Sequence, residues 1–500
     1  MAYTTIDDPS AYFQTKLYTG GTAEAKTFDG NSNLKPDWFW SKKRGASQFH
    51  ATADSVRGIS NALRINTDGA EYTNTEADDL ASFDTNGFTF NGTGDTYNGT
   101  YQSSSYVAWC WAAGGSTPTK TYKVVVVSDS GNKYRFRNSS DTATFGSSAV
   151  TLELQQGGTY TFDQSDSTVA SHPMKFSSTS DGTHGGGSVY STGVTYNLDG
   201  ASVTESAYVS GFSSATTRSI VLNVQNTTTL YYYCHYHSGM GGQADQNATF
   251  GSTNFDGSIL SRSSENTTAG FSIVRHTGTG SSGTIGHGLS TAPKWVITKN
   301  RSTGSSDWAI FHTSLDSGEY YAELNTTDPQ TSGSSVWGDT APSSTVITLG
   351  GANLKTNASN DNYVHYVFSE VQGYSRFNRY KGNGDSNGSF IYTGFKPAWV
   401  MIKRFDSSTN ADWAIYDNKR STSNVNNKFL RANTDDSEAS ASAIDTYSNG
   451  FKLRSTSSRN NANGSSYIYM AFAEHPFVSS EGVPVTAKWK VFYFLYSFLS

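Results

Sequence analysis

One spacing recurs three times along this chain, and it constrains the fold more than any other feature. A proline is followed by a tryptophan two positions later and by a lysine six positions later, and an aromatic strand begins 70 residues after the proline. The three copies comprise Pro36, Trp38, Lys42 and Tyr106; Pro293, Trp295, Lys299 and Tyr363; and Pro397, Trp399, Lys403 and Tyr467. Chance does not produce three equal intervals of this length, so the chain carries three copies of one repeat.

The pattern within each repeat predicts a β-sandwich. Side chains alternate between two faces in Trp399-Val-Met-Ile-Lys403 and again in Tyr467-Ile-Tyr-Met-Ala-Phe472, as in half-buried strands. Two such strands held a fixed distance apart favour a jelly-roll-like sandwich of roughly 100 residues. Since no long stretch shows helical periodicity, we expect an all-β protein made of several such modules.

The repeated tryptophans have two interpretations. Their positions follow strand periodicity, which favours buried core anchors, whereas a platform on which glycans stack needs exposed rings. We predict three separate sandwiches with Trp38, Trp295 and Trp399 at equivalent buried positions. Two Asp/Arg pairs at equal spacing, Asp54/Arg57 and Asp417/Arg420, are interpreted as loop salt bridges.

An inserted domain separates the first repeat from the second. The first two prolines are 257 residues apart and the last two 104, so about 150 residues are additional. The expected order of units is repeat 1 (1–116), an insert (117–250), a linker (251–269), repeat 2 (270–373), repeat 3 (374–480) and a C-terminal tail (481–500).

The insert contains a candidate metal site. Its last strand-like run leads directly into Cys234-His-Tyr-His237-Ser-Gly-Met240, and a distant histidine occurs at His172. A thiolate, two imidazoles and a weak thioether suit copper. The arrangement resembles the copper site of cupredoxins, which implies a Greek-key sandwich with His172, Cys234, His237 and Met240 as ligands. The alternative is a remnant in which these side chains only pack, and His184 and His235 are surface residues or alternative ligands.

Composition limits the partners. The net charge of −6 and the absence of a basic run argue against nucleic acid. The start of the chain lacks the features of a signal peptide, and two cysteines make no disulfide framework, so we expect synthesis in the cytoplasm.

The apolar segment Val491–Leu499 is too short to span a membrane. It is either a disordered or accidental tail or a strand buried against a neighbouring subunit, and the latter predicts a homo-oligomer.

A second resemblance concerns the repeats. The opening Ala-Tyr-Thr-Thr-Ile-Asp-Asp-Pro-Ser-Ala-Tyr-Phe, the run Thr-Gly-Phe-Lys-Pro-Ala-Trp-Val-Met-Ile-Lys-Arg404 and Ser-Asn-Gly-Phe-Lys-Leu-Arg454 resemble modules of uncharacterised function. Such modules are frequent in structural and appendage proteins of marine tailed phages.

The resemblance implies a non-enzymatic virion protein that contacts other virion proteins and copies of itself. It is consistent with the lack of a recognisable catalytic motif. Host surface glycan is a further candidate partner of such a virion protein. The alternative is a lectin-like protein, at the cell surface or secreted, that binds glycans. A copper electron-transfer protein is the third possibility.

Overall fold

The structure is a computed structural model that describes residues 3–21, 24–73, 80–91, 104–114, 117–142 and 145–485. The apolar segment Val491–Leu499, on which the expected homo-oligomer depends, lies outside these residues.

In the described residues the α-helices are short, α1 (Glu205–Gly211) and α2 (Ser334–Trp337). The prediction of an all-β protein is confirmed. None of the helices in the described part of the chain is long and apolar enough to cross a membrane.

Repeat 1 forms a sandwich of two sheets, with orders β1-β9-β3-β4-β5-β6 and β2-β8-β7. Its described strands are β1 (Phe13–Thr19), β2 (Ala25–Thr27), β3 (Trp38–Lys43), β4 (Ala51–Asp54), β5 (Asn61–Arg64), β6 (Tyr72–Thr73), β7 (Leu80–Asp84), β8 (Gly87–Phe90) and β9 (Ser105–Trp111).

The insert is a second kind of two-sheet sandwich, with orders β11-β10-β13-β17-β15-β16 and β12-β19-β18-β14. Its described strands are β10 (Thr119–Ser128), β11 (Asn132–Asn138), β12 (Leu152–Gln155), β13 (Thr159–Asp163), β14 (Met174–Ser177), β15 (Val194–Leu198), β16 (Ala201–Val203), β17 (Arg218–Asn223), β18 (Thr229–Cys234) and β19 (Gly242–Asn247).

Repeat 2 follows with sheet orders β20-β21-β22-β29-β24-β25-β26-β27 and β23-β28. Its strands are β20 (Ser252–Asn254), β21 (Ser261–Asn266), β22 (Phe271–Thr277), β23 (Gly283–Gly286), β24 (Trp295–Asn300), β25 (Ala309–His312), β26 (Tyr320–Glu323), β27 (Thr331–Ser332), β28 (Val346–Leu349) and β29 (Asn362–Phe368). The expectation of a linker over 251–269 is wrong, because β20 and β21 extend the sheet of repeat 2 through pairing with β22.

In repeat 3 one curled sheet supplies both layers, in the order β30-β37-β32-β33-β34-β35-β36-β31. The strands are β30 (Ser375–Lys381), β31 (Phe390–Tyr392), β32 (Phe395–Arg404), β33 (Ala414–Asp417), β34 (Asn426–Arg431), β35 (Ala439–Tyr447), β36 (Gly450–Leu453) and β37 (Ser466–Pro476). The order β1-β9-β3-β4-β5 of repeat 1 therefore recurs as β22-β29-β24-β25-β26 and as β30-β37-β32-β33-β34.

The repeated tryptophans occupy equivalent buried positions, as predicted. Trp38 is paired with Asp54 and Trp111, Trp295 with His312 and Phe368, and Trp399 with Asp417 and Phe472. All three indoles are at most 1% exposed. Rings this deeply buried are core anchors, and the glycan-platform interpretation of these three tryptophans is excluded.

The three repeats are not separate sandwiches, because they share one core. Alternate side chains of each central sheet, including Trp38, Trp295 and Trp399, belong to a single hydrophobic cluster. Their strand neighbours, such as Phe39, face away into a smaller cluster within one repeat. Each central sheet is thus covered on both faces, on the inner face by the other repeats. The sequence pattern indicated which faces are buried but not what covers them.

The repeated lysines connect one repeat to the next. The Nζ atom of Lys42 donates to the Asp435 carbonyl at 3.0 Å, that of Lys299 to the Asp68 carbonyl at 2.8 Å, and that of Lys403 to the Thr326 carbonyl at 3.4 Å. Repeat 1 therefore contacts repeat 3, repeat 2 contacts repeat 1 and repeat 3 contacts repeat 2. This cyclic order gives the three repeats an approximate three-fold arrangement within one chain.

The two Asp/Arg pairs also lie between repeats and are fully buried. Both side chains of Asp54–Arg57 and of Asp417–Arg420 are 0% exposed, which corrects the interpretation as loop salt bridges. A donor from another repeat completes each site: the Tyr366 hydroxyl donates to Asp54 at 2.8 Å, and the Trp109 indole donates to Asp417 at 3.1 Å. Buried carboxylates need such partners, so these pairs belong to the inter-repeat core.

Candidate metal centre

Strand register brings the candidate ligands together. Strands β14 and β18 are antiparallel and pair Met174 with Cys234. His172 precedes Met174 by two residues, so it lies opposite the turn that follows Cys234 and carries His237. The turn is tight because β19 begins at Gly242 and pairs back onto β18. Two neighbouring strand ends therefore place residues 62 and 65 positions apart in one cluster.

Three of the four predicted ligand atoms converge. The His172 Nδ1 and His237 Nδ1 atoms are 3.1 Å apart, and the Cys234 Sγ atom is 3.8 Å from the first and 3.5 Å from the second. A circle through these three atoms has a radius of about 2.0 Å, close to the length of a metal–nitrogen bond and slightly short of a metal–sulfur bond. His172, Cys234 and His237 therefore present donor atoms close enough together to hold one metal ion.

Burial differs across the set. Cys234 is 0% exposed and His172 is 8% exposed, whereas His237 lies at the surface. Burial lowers the pKa of His172, and the neighbouring His237 lowers it further. Both effects favour the neutral imidazole, which is the form that binds a metal. The centre is thus closed on its interior side, at Cys234 and His172, and is open to solvent at His237.

Met240 lies on the same turn, three residues after His237. It is 1% exposed and belongs to the hydrophobic cluster that includes Cys234. Its backbone carbonyl accepts a hydrogen bond from the amide of Tyr134 at 3.0 Å. Met240 therefore lies on the ligand turn with a buried side chain, and a thioether is the fourth donor type that suits copper.

Tyr134 contacts both ligand segments, a role that was not predicted from the sequence. Its hydroxyl donates to the carbonyl of His172 at 2.8 Å, while its amide binds Met240 as described. The side chain is fully buried on β11. One residue thus connects the loop of His172 to the turn of Cys234, His237 and Met240. In the sequence Tyr134 is one of many aromatic residues on alternating strands, and no motif distinguishes it.

The two additional histidines do not join the cluster. His184 Nε2 lies 3.1 Å from the carbonyl oxygen of Cys234, and the amide of His235 donates to the Pro173 carbonyl at 2.8 Å. Asp181, which has a left-handed backbone with φ of 56°, accepts a hydrogen bond from the Gly239 amide at 2.9 Å. These contacts hold the ligand turn from outside, so they position the centre without completing it.

Comparisons with known proteins bear on the family of the chain. No curated protein and no solved structure matches it. Among family models, one described as "Domain of unknown function (DUF7483)" matches residues 8–236 and 242–476. The match covers the repeats and nearly all of the insert. The chain therefore belongs to the DUF7483 family.

Proposed function

We propose that this chain is a structural protein of a tailed-phage particle, in a tail fibre, another appendage or the capsid surface. The observation that carries the proposal is the shared core of the three repeats. It gives one chain the approximate three-fold body that symmetric assemblies usually form from several chains. A rigid body of this kind suits assembly or host attachment, and the resemblance of the repeats to phage appendage modules points the same way.

Mass spectrometry of purified particles from the native source tests this role. A structural protein is expected at a fixed copy number per particle and is retained after salt washes that remove adsorbed proteins. Absence from the particles, or loss on washing, would contradict the proposal.

We further propose that the insert is a cupredoxin-like domain that holds one copper ion through His172, Cys234, His237 and Met240. The spacing of the two imidazoles and the thiol supports this, since it matches a trigonal His2Cys set. Bound copper supplies one-electron chemistry, and the chain supplies a fixed ligand geometry with one exposed histidine edge. The same ligand geometry also suits an ion that only stabilises the fold and transfers no electrons.

Copper titration of the full chain tests the site. Cu(II) bound to the Cys234 thiolate is expected to give intense visible absorption, which Cys234→Ser abolishes. Cys110, the other cysteine, is buried in repeat 1 in a different hydrophobic cluster from Cys234, so Cys110→Ala serves as the control and should keep the band. Failure of the wild type to bind copper at one equivalent would leave the four side chains as a packed remnant.

Glycan binding is the second candidate function, and one surface favours it. On the outer layer of repeat 3, Phe390, Tyr392 and Tyr447 are 45%, 51% and 39% exposed. Gly450 of repeat 3 pairs with Tyr392 and Tyr447, and Gly87 of repeat 1 pairs in the same way with Thr27 and Asp84. The positions of Phe390, Tyr392 and Tyr447 therefore correspond to Ala25, Thr27 and Asp84 of repeat 1. The fold therefore does not need aromatic residues there, and exposed rings are suited to stacking on sugars.

A glycan array probed with the full chain tests this function. Tyr392→Thr installs the repeat 1 residue and is expected to remove binding, whereas Tyr236→Thr, at an exposed tyrosine of the insert, is expected to leave it unchanged. Equal binding by both variants would contradict a role for this face.

A further inference from the structure

We infer that a cleft between the insert and repeat 2 binds an oxyanion of the sulfate or phosphate type. The cavity has a volume of about 360 Å³, within the size range of ligand pockets. Its charged walls are Arg262, Arg275 and Arg301 of repeat 2 and Glu153 of the insert. We call it the arginine cleft. Threonine and serine side chains also line the cleft, at Thr151, Thr253, Ser261 and Thr277.

Strand register creates an electrostatic conflict in the cleft. The antiparallel pairing of β21 with β22 places Arg262 directly opposite Arg275. Like charges at such cross-strand positions destabilise a sheet, because their side chains project from the same face at close range. The pair therefore requires negative charge in front of it.

The protein supplies only part of that charge. Among the described residues that line the cleft, Glu153 is the one carboxylate, and it lies 3.0 Å from Arg262 and 3.5 Å from Arg275. Arg301 is already neutralised by two hydrogen bonds to Glu71, at 2.9 and 2.6 Å. Two cations thus share one anion, and the cleft keeps one surplus positive charge.

Arg275 differs from Arg262 in how many of its guanidinium N–H donors are used by the protein. Arg262 uses its guanidinium on the carbonyls of Gly251 and Thr249 as well as on Glu153. Within the described part of the chain, Glu153 is the one ion-pair partner of the Arg275 guanidinium, and the Arg275 side chain is 26% exposed. A guanidinium carries five N–H donors in a planar fork that matches an oxyanion. Its remaining donors are therefore available to a ligand in the cleft.

The feature is specific to repeat 2. The residues at the position of Arg275 are Leu17 in repeat 1 and Arg379 in repeat 3, as their pairing with Val107 and Ile468 shows. Arg379 is 55% exposed and lies 3.5 Å from Asp316. The cleft thus exists only where strand β12 of the insert brings Glu153 over repeat 2. An anion there would touch both units and stabilise their junction.

Calorimetric titration of the full chain with sodium sulfate, at constant ionic strength in chloride, tests the inference. Saturable binding in the millimolar range or tighter is expected for the wild type. Arg275→Gln is expected to weaken binding at least tenfold, and Arg379→Gln, at the matching position of repeat 3, to leave it unchanged. Sulfate also acts on proteins non-specifically, because it is excluded from their surface. Specific binding is therefore judged from the difference between these two variants.

Two further arms complete the test. Arg275→Lys keeps the charge but loses the planar donor pair, so an intermediate affinity is expected and any folding defect of Arg275→Gln is separated from ligand loss. Inorganic phosphate and a sulfated disaccharide distinguish a free ion from an anion carried by a sugar, according to which binds more tightly. Absence of saturable binding of all three probes, or equal loss in Arg275→Gln and Arg379→Gln, would overturn the inference.

Discussion

At the scale of single residues, the hydroxyl of Tyr134 connects the two loops of the candidate metal centre. Tyr134→Phe removes its 2.8 Å hydrogen bond to the His172 carbonyl but keeps the ring and the amide contact to Met240. Loss of a contact that orients a ligand typically lowers metal affinity about 10–100-fold. We expect weaker copper binding, measured by titration of the visible absorption band.

Tyr122→Phe is the control for this variant. Its hydroxyl is buried in the same domain and donates to the Thr253 carbonyl at 2.8 Å, and its ring packs on Tyr160 and Phe255. It is expected to lower stability to a similar extent without changing copper affinity. If the two variants bind copper equally well, Tyr134 has no positioning role.

The buried pair Asp54–Arg57 gives a prediction for stability. Asp54→Ala leaves Arg57 buried beside Glu71 alone and removes the acceptor of the Tyr366 hydroxyl. Breaking a buried ion pair on one side costs about 3–5 kcal/mol of the free energy of unfolding. Asp29→Ala is the comparison, since Asp29 is 57% exposed in its pair with Lys419, and a surface pair contributes about 1 kcal/mol or less. Urea unfolding measures both; a similar small loss would contradict the structural role of the buried pair.

At the scale of elements, the strand that follows the central tryptophan strand is attached to another repeat in repeats 2 and 3. The indole of Trp308, just before β25, donates to the Arg64 carbonyl at 3.1 Å, and that of Trp413, just before β33, to the Glu323 carbonyl at 2.8 Å. Arg64 and Glu323 occupy equivalent positions at the ends of β5 and β26. These bonds repeat the cyclic order of the lysine contacts, so the strand edges are part of the inter-repeat interface.

Trp413→Phe tests the contribution of this interface. The variant removes the indole N–H and leaves a buried carbonyl without its donor, which costs about 1–3 kcal/mol beyond the loss of ring volume. Trp337→Phe makes the same change in volume, but the Trp337 N–H has no hydrogen-bond partner within the described residues. We expect Trp413→Phe to lower the midpoint of urea unfolding more than Trp337→Phe. The reverse order would contradict the proposed link.

At the scale of the whole molecule, acid is expected to lower the free energy of unfolding through buried histidines of repeat 2. Burial lowers the pKa of His276 to about 3, of His312 to about 3 and of His287 to about 4. The unfolded chain binds protons at these histidines below pH 6.5 while the folded chain does not. Stability is therefore present at neutral pH and is lost as the pH falls from 6.5 toward 4, by roughly 3 kcal/mol per histidine.

One carboxyl group changes stability in the opposite direction, and the His312→Asn variant separates its effect from that of the histidines. Burial raises the pKa of Asp37 to about 6, so this group alone adds stability as the pH falls from 6 to 4. Three histidines outweigh one carboxyl, and the free energy of unfolding should decrease over this range. In His312→Asn the decrease should be smaller by roughly 3 kcal/mol, the contribution of one histidine. A free energy that stays level between pH 6.5 and 4 would contradict the burial of neutral histidines.

The shared core predicts that the repeats depend on one another. Residues 374–480 expressed alone would expose Trp399, Met401, Trp413 and Phe472, which face the other repeats in the whole chain. An exposed apolar patch of this kind promotes association. We expect the fragment to aggregate or to lack a cooperative transition, whereas the whole chain unfolds its three repeats together. A stable monomeric fragment, observed by sedimentation and thermal melting, would contradict the common core.

The sequence by itself determined the local features of this protein, because they depend on residues close together along the chain. The interval from Pro36 to Tyr106 marked the repeats, strand alternation identified Trp38 as buried, and the spacing from Cys234 to His237 indicated a ligand turn. Tertiary structure alone decided what each buried face packs against. Alternation around Trp399 shows that two faces are apolar, but hydrophobic burial has no direction and does not name its partner. The inter-repeat core, the connection through Tyr134 and the opposition of Arg262 to Arg275 all arise from contacts between distant segments, for which a single sequence carries no periodic signal.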